Sequence, residues 1–151
     1  MISSKKIKNF ILSLFICWVA GSMQTISAQE NSNDSNKKFT IENCVNQFSI
    51  DKTIETKVGY QYWFADKDFL DGRTLKMSVV APHKSTHAPH KHIEDEFFFV
   101  LEGTAEFYLD GKTTVVGPHS SLYCPSMVMH GISNAGDIEL KYLVIKKYQK
   151  D

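Results

Sequence analysis

Short clusters of β-branched and aromatic residues, separated by turn signals, follow one another from Phe39 to the C terminus and constrain the fold more than any other feature. No convincing 3.6-residue apolar period interrupts them, so we predict an all-β domain. The dipeptides Asp71-Gly72 and Asp110-Gly111 mark turns, and the second is typical of a two-residue β-hairpin. The strands are expected at residues 58–64, 74–80, 96–101, 105–109, 113–116, 122–124, 130–133 and 139–146.

The segment 97–101 (FFFVL) is apolar at every position, without the alternation of a half-exposed strand. Both of its faces must therefore be covered. One face can look into a barrel. The other needs either another subunit, which motivates the prediction of a homodimer, or a second sheet in a monomeric sandwich.

His90, His92, Glu96 and His130 are of the right types and intervals to hold one metal ion. In an extended strand the imidazoles of His90 and His92 leave the same face, and Glu96 keeps that parity. Neutral imidazole and carboxylate together suit a first-row metal such as Fe, Mn, Ni, Co, Cu or Zn better than Ca or Mg, which prefer oxygen ligands. We therefore predict a site for one divalent transition metal.

Two further acidic residues lie within this segment. Glu94 has the same parity as Glu96 and competes with it for the carboxylate position. Asp95 points to the opposite face and is expected to be a solvated charge.

Residues 1–28 are typical of an export signal. Lys5, Lys6 and Lys8 form a basic start, residues 10–20 are mainly apolar, and residues 26–28 (ISA) end in a cleavage pattern. The apolar run is shorter than the roughly 20 residues that a spanning helix requires. We therefore expect cleavage after Ala28 and a soluble periplasmic or secreted product rather than a membrane-anchored one.

The charge balance argues against two classes of partner. The 151 residues include 17 basic and 17 acidic side chains, and removal of the three signal lysines leaves 14 basic against 17 acidic. Nucleic acid and anionic membranes both favour a basic stripe, which this mildly acidic chain lacks. With 42% apolar residues, the chain is sufficient for one domain with a single core.

Cys44 and Cys124 remain after the signal is removed. In an oxidising compartment they could pair, but spacing alone does not show that their Cα atoms come within bridging distance. Two buried free thiols are the equal alternative.

The pattern H-x-H-x-x-x-E, from His90 to Glu96 and followed by Gly103, resembles the first motif of the cupin superfamily. The resemblance extends through the compatible strand pattern from about residue 58 to the C terminus. Since the family spacing places its carboxylate at Glu96, the resemblance favours Glu96 over Glu94.

Pro125, His130 and Asn134 resemble the second cupin motif. Met127 stands where the family usually has glycine, and Gly117 lies two residues before the usual opening glycine. These departures concern the loop geometry more than the ligand His130, which keeps its spacing to Pro125 and Asn134.

The resemblance implies a small single-domain cupin of the conserved-barrel type, a small β-barrel or double-stranded jelly roll with the metal near one mouth. Three imidazoles and one carboxylate would leave two positions of an octahedral shell open. We accordingly divide the chain into a signal peptide (1–28), a polar lead-in with an N-terminal strand (29–55) and one cupin domain (56–151).

The remaining candidates for a substrate pocket are Tyr62, Arg73, Met77, His87 and Met129. Arg73 is the only arginine and could bind a substrate carboxylate through two hydrogen bonds, although its position after a turn also fits a surface residue. His87 could transfer protons or be a plain loop residue. Ordinary core packing explains Tyr62, Met77 and Met129 equally well.

Three functions fit these features. The first is a metal-dependent enzyme acting on a sugar, uronate or keto/enol compound by isomerase, lyase or ring-opening chemistry. The second is a metal-dependent dioxygenase. The third is a non-catalytic module in which the metal anchors a small ligand.

Overall fold

A computed structural model describes residues 38–149. The predicted signal peptide (1–28) and most of the polar lead-in lie outside the described residues. Among residues 38–149, no helix has the length and apolar character needed to span a membrane.

The described chain is built almost entirely from strands, as the sequence predicts. Its two helical segments are short: α1 (Ile41–Cys44) and the 3-10 turn η1 (Ile50–Lys52). The strands are β1 (Ile54–Thr56), β2 (Gly59–Leu70), β3 (Arg73–Val80), β4 (Glu96–Glu102), β5 (Ala105–Leu109), β6 (Lys112–Val116), β7 (Ser121–Cys124), β8 (His130–Asn134) and β9 (Leu140–Lys147).

The strands form two antiparallel sheets. One has the order β1-β2-β3-β9-β4-β7 and the other the order β6-β5-β8. The main core contains side chains from both sheets, with Val80, Phe98 and Val144 from the larger sheet and Phe107 and Ile132 from the smaller one. The predicted all-β fold of two facing sheets is therefore confirmed.

All eight predicted strands are present, but β2 continues to Leu70, six residues beyond its predicted end. Its pairing with β3 shifts register between Trp63 and Leu70, which breaks the alternating pattern that a sequence would show. The hairpin of β2 and β3 turns at Asp71 and Gly72, whose φ values are +44° and +72°. Two positive φ values are the geometry of a tight primed turn, in agreement with the predicted turn.

The predicted hairpin at Asp110-Gly111 is also confirmed. Leu109 pairs with Lys112, and the two residues between them have φ values of +46° and +81°. At the end of β4, Gly103 has φ +87°, and a Cβ there would lie 2.6 Å from the carbonyl oxygen of Glu139. This close approach explains the glycine that follows the first motif.

The segment before β1 packs against the outer face of β2. The Tyr62 hydroxyl donates to Asn46 or to the carbonyl oxygen of Gln47, and the ring of Phe48 packs edge-on at 5.0 Å from the ring of Tyr62. Tyr62 and Met77 form a second apolar cluster on this face, separate from the main core.

Cys44 and Cys124 are both free thiols. Cys124 is buried, but Cys44 is exposed, so neither sequence alternative describes both residues correctly. Burial raises the pKa of the Cys124 thiol to about 12, and Glu96 adds to this effect.

The outer face of β4 is only partly covered. Phe98 and Val100 are buried in the core, whereas Phe97 is 45% exposed and lies beside Tyr123 and Ile145, which are 46% and 45% exposed. Within residues 38–149 no second sheet covers this face, so the chain itself does not cover β4 on both faces as expected.

Asn134 links the end of β8 to two neighbouring segments. Its side-chain amide donates to the carbonyl oxygens of Val80 and Ile138 at 2.9 and 2.7 Å, and its Oδ1 accepts from the backbone N–H of Gly136 at 2.9 Å. Because Asn134 is buried, these groups have no easy access to water.

We predict that Asn134→Ala lowers the free energy of unfolding by about 3 kcal/mol, because it leaves buried backbone groups without partners. Denaturant unfolding followed by circular dichroism would measure the change. The control Gln149→Ala removes an exposed amide side chain near the end of the described residues and should cost no more than about 0.5 kcal/mol. Equal losses in the two variants would contradict this role for Asn134.

We also keep the prediction of a homodimer in which a second copy covers Phe97, Tyr123 and Ile145. Light scattering at micromolar concentration should give twice the mass of one chain, and Phe97→Ser should shift the protein toward monomer because it removes apolar area from the interface. Val115→Ser, which alters an exposed apolar residue of the other sheet, is the control. A monomeric wild-type protein would refute the prediction.

Candidate metal centre

The two sheets and one loop bring the predicted ligands together. Glu96 is the first residue of β4, His130 is the first residue of β8, and His90 and His92 lie in the loop that precedes β4. His90 and His92 thus lie outside a regular strand, although the parity argument assumed an extended one. The loop instead pairs with β8 at a single point, where the backbones of His90 and His130 exchange two hydrogen bonds of 2.9 Å.

A second loop holds His92 in place. The backbone N–H of Met127 donates to the carbonyl oxygen of His92 at 2.8 Å, and the Ser126 hydroxyl donates to that of Ile93 at 2.6 Å. Met127 has φ +61°, a left-handed conformation that favours glycine. Met127 thus has a backbone conformation that glycine adopts more easily, at the position where the second cupin motif usually has glycine.

The three imidazoles are oriented in the same way. The Nδ1 atoms of His90, His92 and His130 lie 3.2, 2.7 and 2.8 Å from the carbonyl oxygens of Ala88, Glu94 and Val128, respectively. A carbonyl oxygen only accepts, so each Nδ1 carries the proton in the neutral ring and each Nε2 presents a lone pair. This is the tautomer that a metal bound through Nε2 requires.

The free ring nitrogens converge on the carboxylate of Glu96. His130 Nε2 lies 3.1 Å from Glu96 Oε1, and His92 Nε2 lies 3.6 Å from the same oxygen. One ligand atom from each of the four residues lies within 4.8 Å of the others. His92 Nε2 is buried and has no hydrogen-bond partner, which is a costly arrangement unless a ligand is bound there.

The donor set fits a metal ion. Three imidazole nitrogens and one carboxylate oxygen suit a divalent first-row transition metal and can leave positions open in an octahedral shell. The described residues include a His₃Glu group that could hold such an ion, as the sequence predicts.

The competing acidic residues have other contacts. The Glu94 carboxylate lies 3.5 Å from the Lys146 ammonium. Burial tends to raise the pKa of Glu94, but a backbone hydrogen bond and Lys146 outweigh it, so this pKa lies below its usual range. Asp95 accepts a hydrogen bond of 3.1 Å from the Tyr123 hydroxyl, so it is exposed but not simply solvated.

A cavity of about 510 Å³ opens beside the four residues. His90, His92 and Glu96 form part of its wall. The remainder includes Gln61, Trp63, Thr74, Lys76, Ser78, Thr86, His87, Tyr142, Lys146 and Tyr148. These residues come mainly from one face of β2, β3 and β9, the face that looks toward the smaller sheet.

Of the predicted pocket residues, only His87 lines this cavity. Tyr62 and Met77 pack on the outer face of the larger sheet, and Arg73 is exposed, 3.8 Å from Asp71. Met129 is half-buried, and its carbonyl oxygen accepts from the backbone N–H of Asp110. The structure therefore does not place these four at the cavity.

Sequence reasoning missed Lys76, Lys146 and Tyr142. In β3, polar Thr74, Lys76 and Ser78 alternate with apolar residues, a pattern that normally marks a solvent-facing side. Here the polar side looks into the cavity instead. The alternation indicates that Thr74, Lys76 and Ser78 share one face of β3. It does not indicate whether that face contacts solvent or a cavity.

Burial alters several groups in the cavity wall. Desolvation lowers the pKa of Lys76, an effect that Glu96 opposes and Lys146 reinforces. Desolvation and the nearby His90 also lower the pKa of His87. Burial raises the pKa of Tyr142, so its hydroxyl stays protonated and can donate a hydrogen bond near neutral pH.

Comparisons with known proteins agree with the fold. Residues 76–146 match the family model described as Cupin domain. The polyketide cyclase RemF from Streptomyces resistomycificus is 22% identical with a TM-score of 0.58, over 68% of this chain and 79% of that one. KdgF from Halomonas sp. is 17% identical with a TM-score of 0.54, over 76% of this chain and 96% of that one.

A predicted oxalate decarboxylase from Thermotoga maritima is 23% identical with a TM-score of 0.55, over 58% of this chain and 78% of that one. Mannose-1-phosphate guanylyltransferase from Escherichia coli (strain K12) is 26% identical over 118 residues, which are 75% of this chain but 25% of that protein. The chain thus spans about a quarter of this curated relative.

The family model covers all of β4 through β8 and most of β3 and β9, so it includes the smaller sheet, part of the larger sheet and all four converging residues. The solved structures share the same fold. The chain therefore contains a small cupin-type domain.

Proposed function

We propose that this protein is a metal-dependent enzyme that acts on a small polar molecule, such as a sugar, a uronate or a keto/enol compound, by isomerase, lyase or ring-opening chemistry. The observation that carries the proposal is the buried, unpartnered Nε2 of His92. This lone pair points to a bound cation, and the adjacent cavity offers room for a substrate.

The donor count supports a catalytic rather than a structural site. A structural metal is usually enclosed by protein ligands, whereas four ligands in an octahedral shell leave positions for substrate. A divalent ion bound there would supply Lewis acidity toward a carbonyl or hydroxyl oxygen.

The surrounding side chains can orient the substrate and move a proton. Tyr142 has a protonated hydroxyl in the cavity wall and can donate to a substrate oxygen. The ring of His87 lies 5.8 Å from that of His90, and its lowered pKa favours the neutral ring, which can accept a proton near neutral pH. These roles require only residues that already line the cavity.

The names of the similar structures do not identify the reaction that this chain would catalyse. Their names describe a polyketide cyclase and a predicted oxalate decarboxylase, so the same fold is associated with different chemistry. We also propose that the protein acts outside the cytoplasm. This second proposal rests on the signal pattern of residues 1–28 alone.

We expect about one divalent metal ion per chain in the native protein, measured by elemental analysis. His90→Ala and His130→Ala should each weaken metal binding at least about tenfold, because each removes a ligand. Both variants should keep their β-type circular dichroism spectrum.

His83→Ala is the matched control, because His83 is exposed and pairs with Asp137 at 2.8 Å. It should retain full metal occupancy. Full occupancy in both ligand variants would contradict the assignment.

We further expect metal-dependent turnover of at least one compound in a panel of sugars, uronates and keto acids, at equal rates under air and nitrogen. Product formation and oxygen uptake should be measured together, with the His90→Ala variant as the inactive control. Stoichiometric oxygen uptake would point to a dioxygenase instead. Full metal occupancy without turnover in either atmosphere would favour a ligand-binding module.

A further inference from the structure

We propose that Lys76 binds an anionic group of the substrate, at a distance from the metal-held oxygen. This inference rests on the proposed function and names the class of substrate as a small organic acid or phosphate ester. The argument compares Lys76 with Lys146, two of the three lysines that line the cavity, because their surroundings differ.

Lys146 is already neutralised by the protein. Its ammonium lies 3.5 Å from Glu94 and 4.0 Å from Glu96, and its side chain is only 9% exposed. It also lies 4.8 Å from the centre of the Tyr148 ring. Lys146 therefore helps to hold the carboxylates in place.

Lys76 has no such partner. It is half-buried, and no described carboxylate forms an ion pair with it. Its ammonium lies over the Trp63 ring, 5.1 Å from the ring centre. Desolvation lowers its pKa, Glu96 opposes this effect and Lys146 adds to it, as expected of a cation that has lost water and has no carboxylate in direct contact.

The strand register places Lys76 on the same face as the metal-binding carboxylate. Lys76 pairs with Val144, which pairs with Phe98, and Phe98 lies two residues after Glu96 on β4. β9 separates β3 from β4, so two strand spacings, or roughly 10 Å, lie between the backbones. A molecule of several carbon atoms could contact both positions, since the lysine side chain extends into the gap.

The net charge of the cavity also favours an anion. Its charged lining residues are Lys57, Lys76, Lys146 and Glu96. Even with the Glu94 carboxylate beside Lys146 included, positive charge is in excess, and a divalent ion would add to it. A neutral sugar would leave that excess uncompensated, whereas a carboxylate or phosphate would reduce it.

The test is calorimetric titration of the metal-loaded protein with D-galacturonate, D-galactose 6-phosphate and neutral D-galactose. At least one anionic probe should bind at least about tenfold more tightly than galactose. The stronger of the two identifies the carboxylate or the phosphate as the preferred group.

Lys76→Met should reduce the affinity for that anionic probe at least about tenfold and leave weak binding of galactose unchanged. Lys76→Arg, which keeps the charge, should restore most of the affinity. Lys112→Met, which alters an exposed lysine of β6 that does not line the cavity, is the control and should bind like the wild type.

Metal content is measured for every variant, which separates this inference from the proposed function. If the wild type holds its metal but no anionic probe binds better than galactose, or if Lys76→Met binds as well as the wild type, the role of Lys76 is refuted and the metal centre stands. If the wild type holds no metal, the proposed function fails. Anion binding that still depends on Lys76 would then show that the anion site exists without the metal centre.

Discussion

The backbone pairing of His90 with His130 is the contact on which the site depends. His130 begins a strand of the smaller sheet, and Glu96 begins a strand of the larger one. The pairing attaches the intervening loop to the smaller sheet, so two histidines on an irregular backbone meet residues on regular strands. Without it, only the hydrogen bonds from Ser126 and Met127 and the metal would order this part of the loop, at a greater cost in conformational entropy.

Much of the fold was predictable because local signals and tertiary structure agree. The Asp110-Gly111 hairpin has the backbone geometry that its residues favour, and all eight predicted strands are present. The extension of β2 was missed because its residues 66–68 are exposed and charged or polar, without a buried face to set an apolar period. The short β1 offers too few residues for any period to show.

The four converging residues were predictable from spacing, but most of the cavity wall was not. The parity argument placed His90 and His92 correctly beside Glu96 although their backbone is a loop rather than a strand. Tyr62 and Met77 were candidates because of their residue types, yet a strand has two faces, and sequence does not reveal which one meets the other sheet. Only the topology shows that Lys76 looks inward and Met77 outward.

The acceptors that orient the imidazoles have a consequence for how such a domain can change over evolution. Each acceptor is a main-chain oxygen two positions away from its histidine, so no other side chain has to be conserved to keep the tautomer. Substitutions across the facing β3 and β9 surfaces can then alter what is recognised without disturbing how the rings are held. The geometry of the metal-binding side chains and the selectivity for a small molecule can therefore change independently.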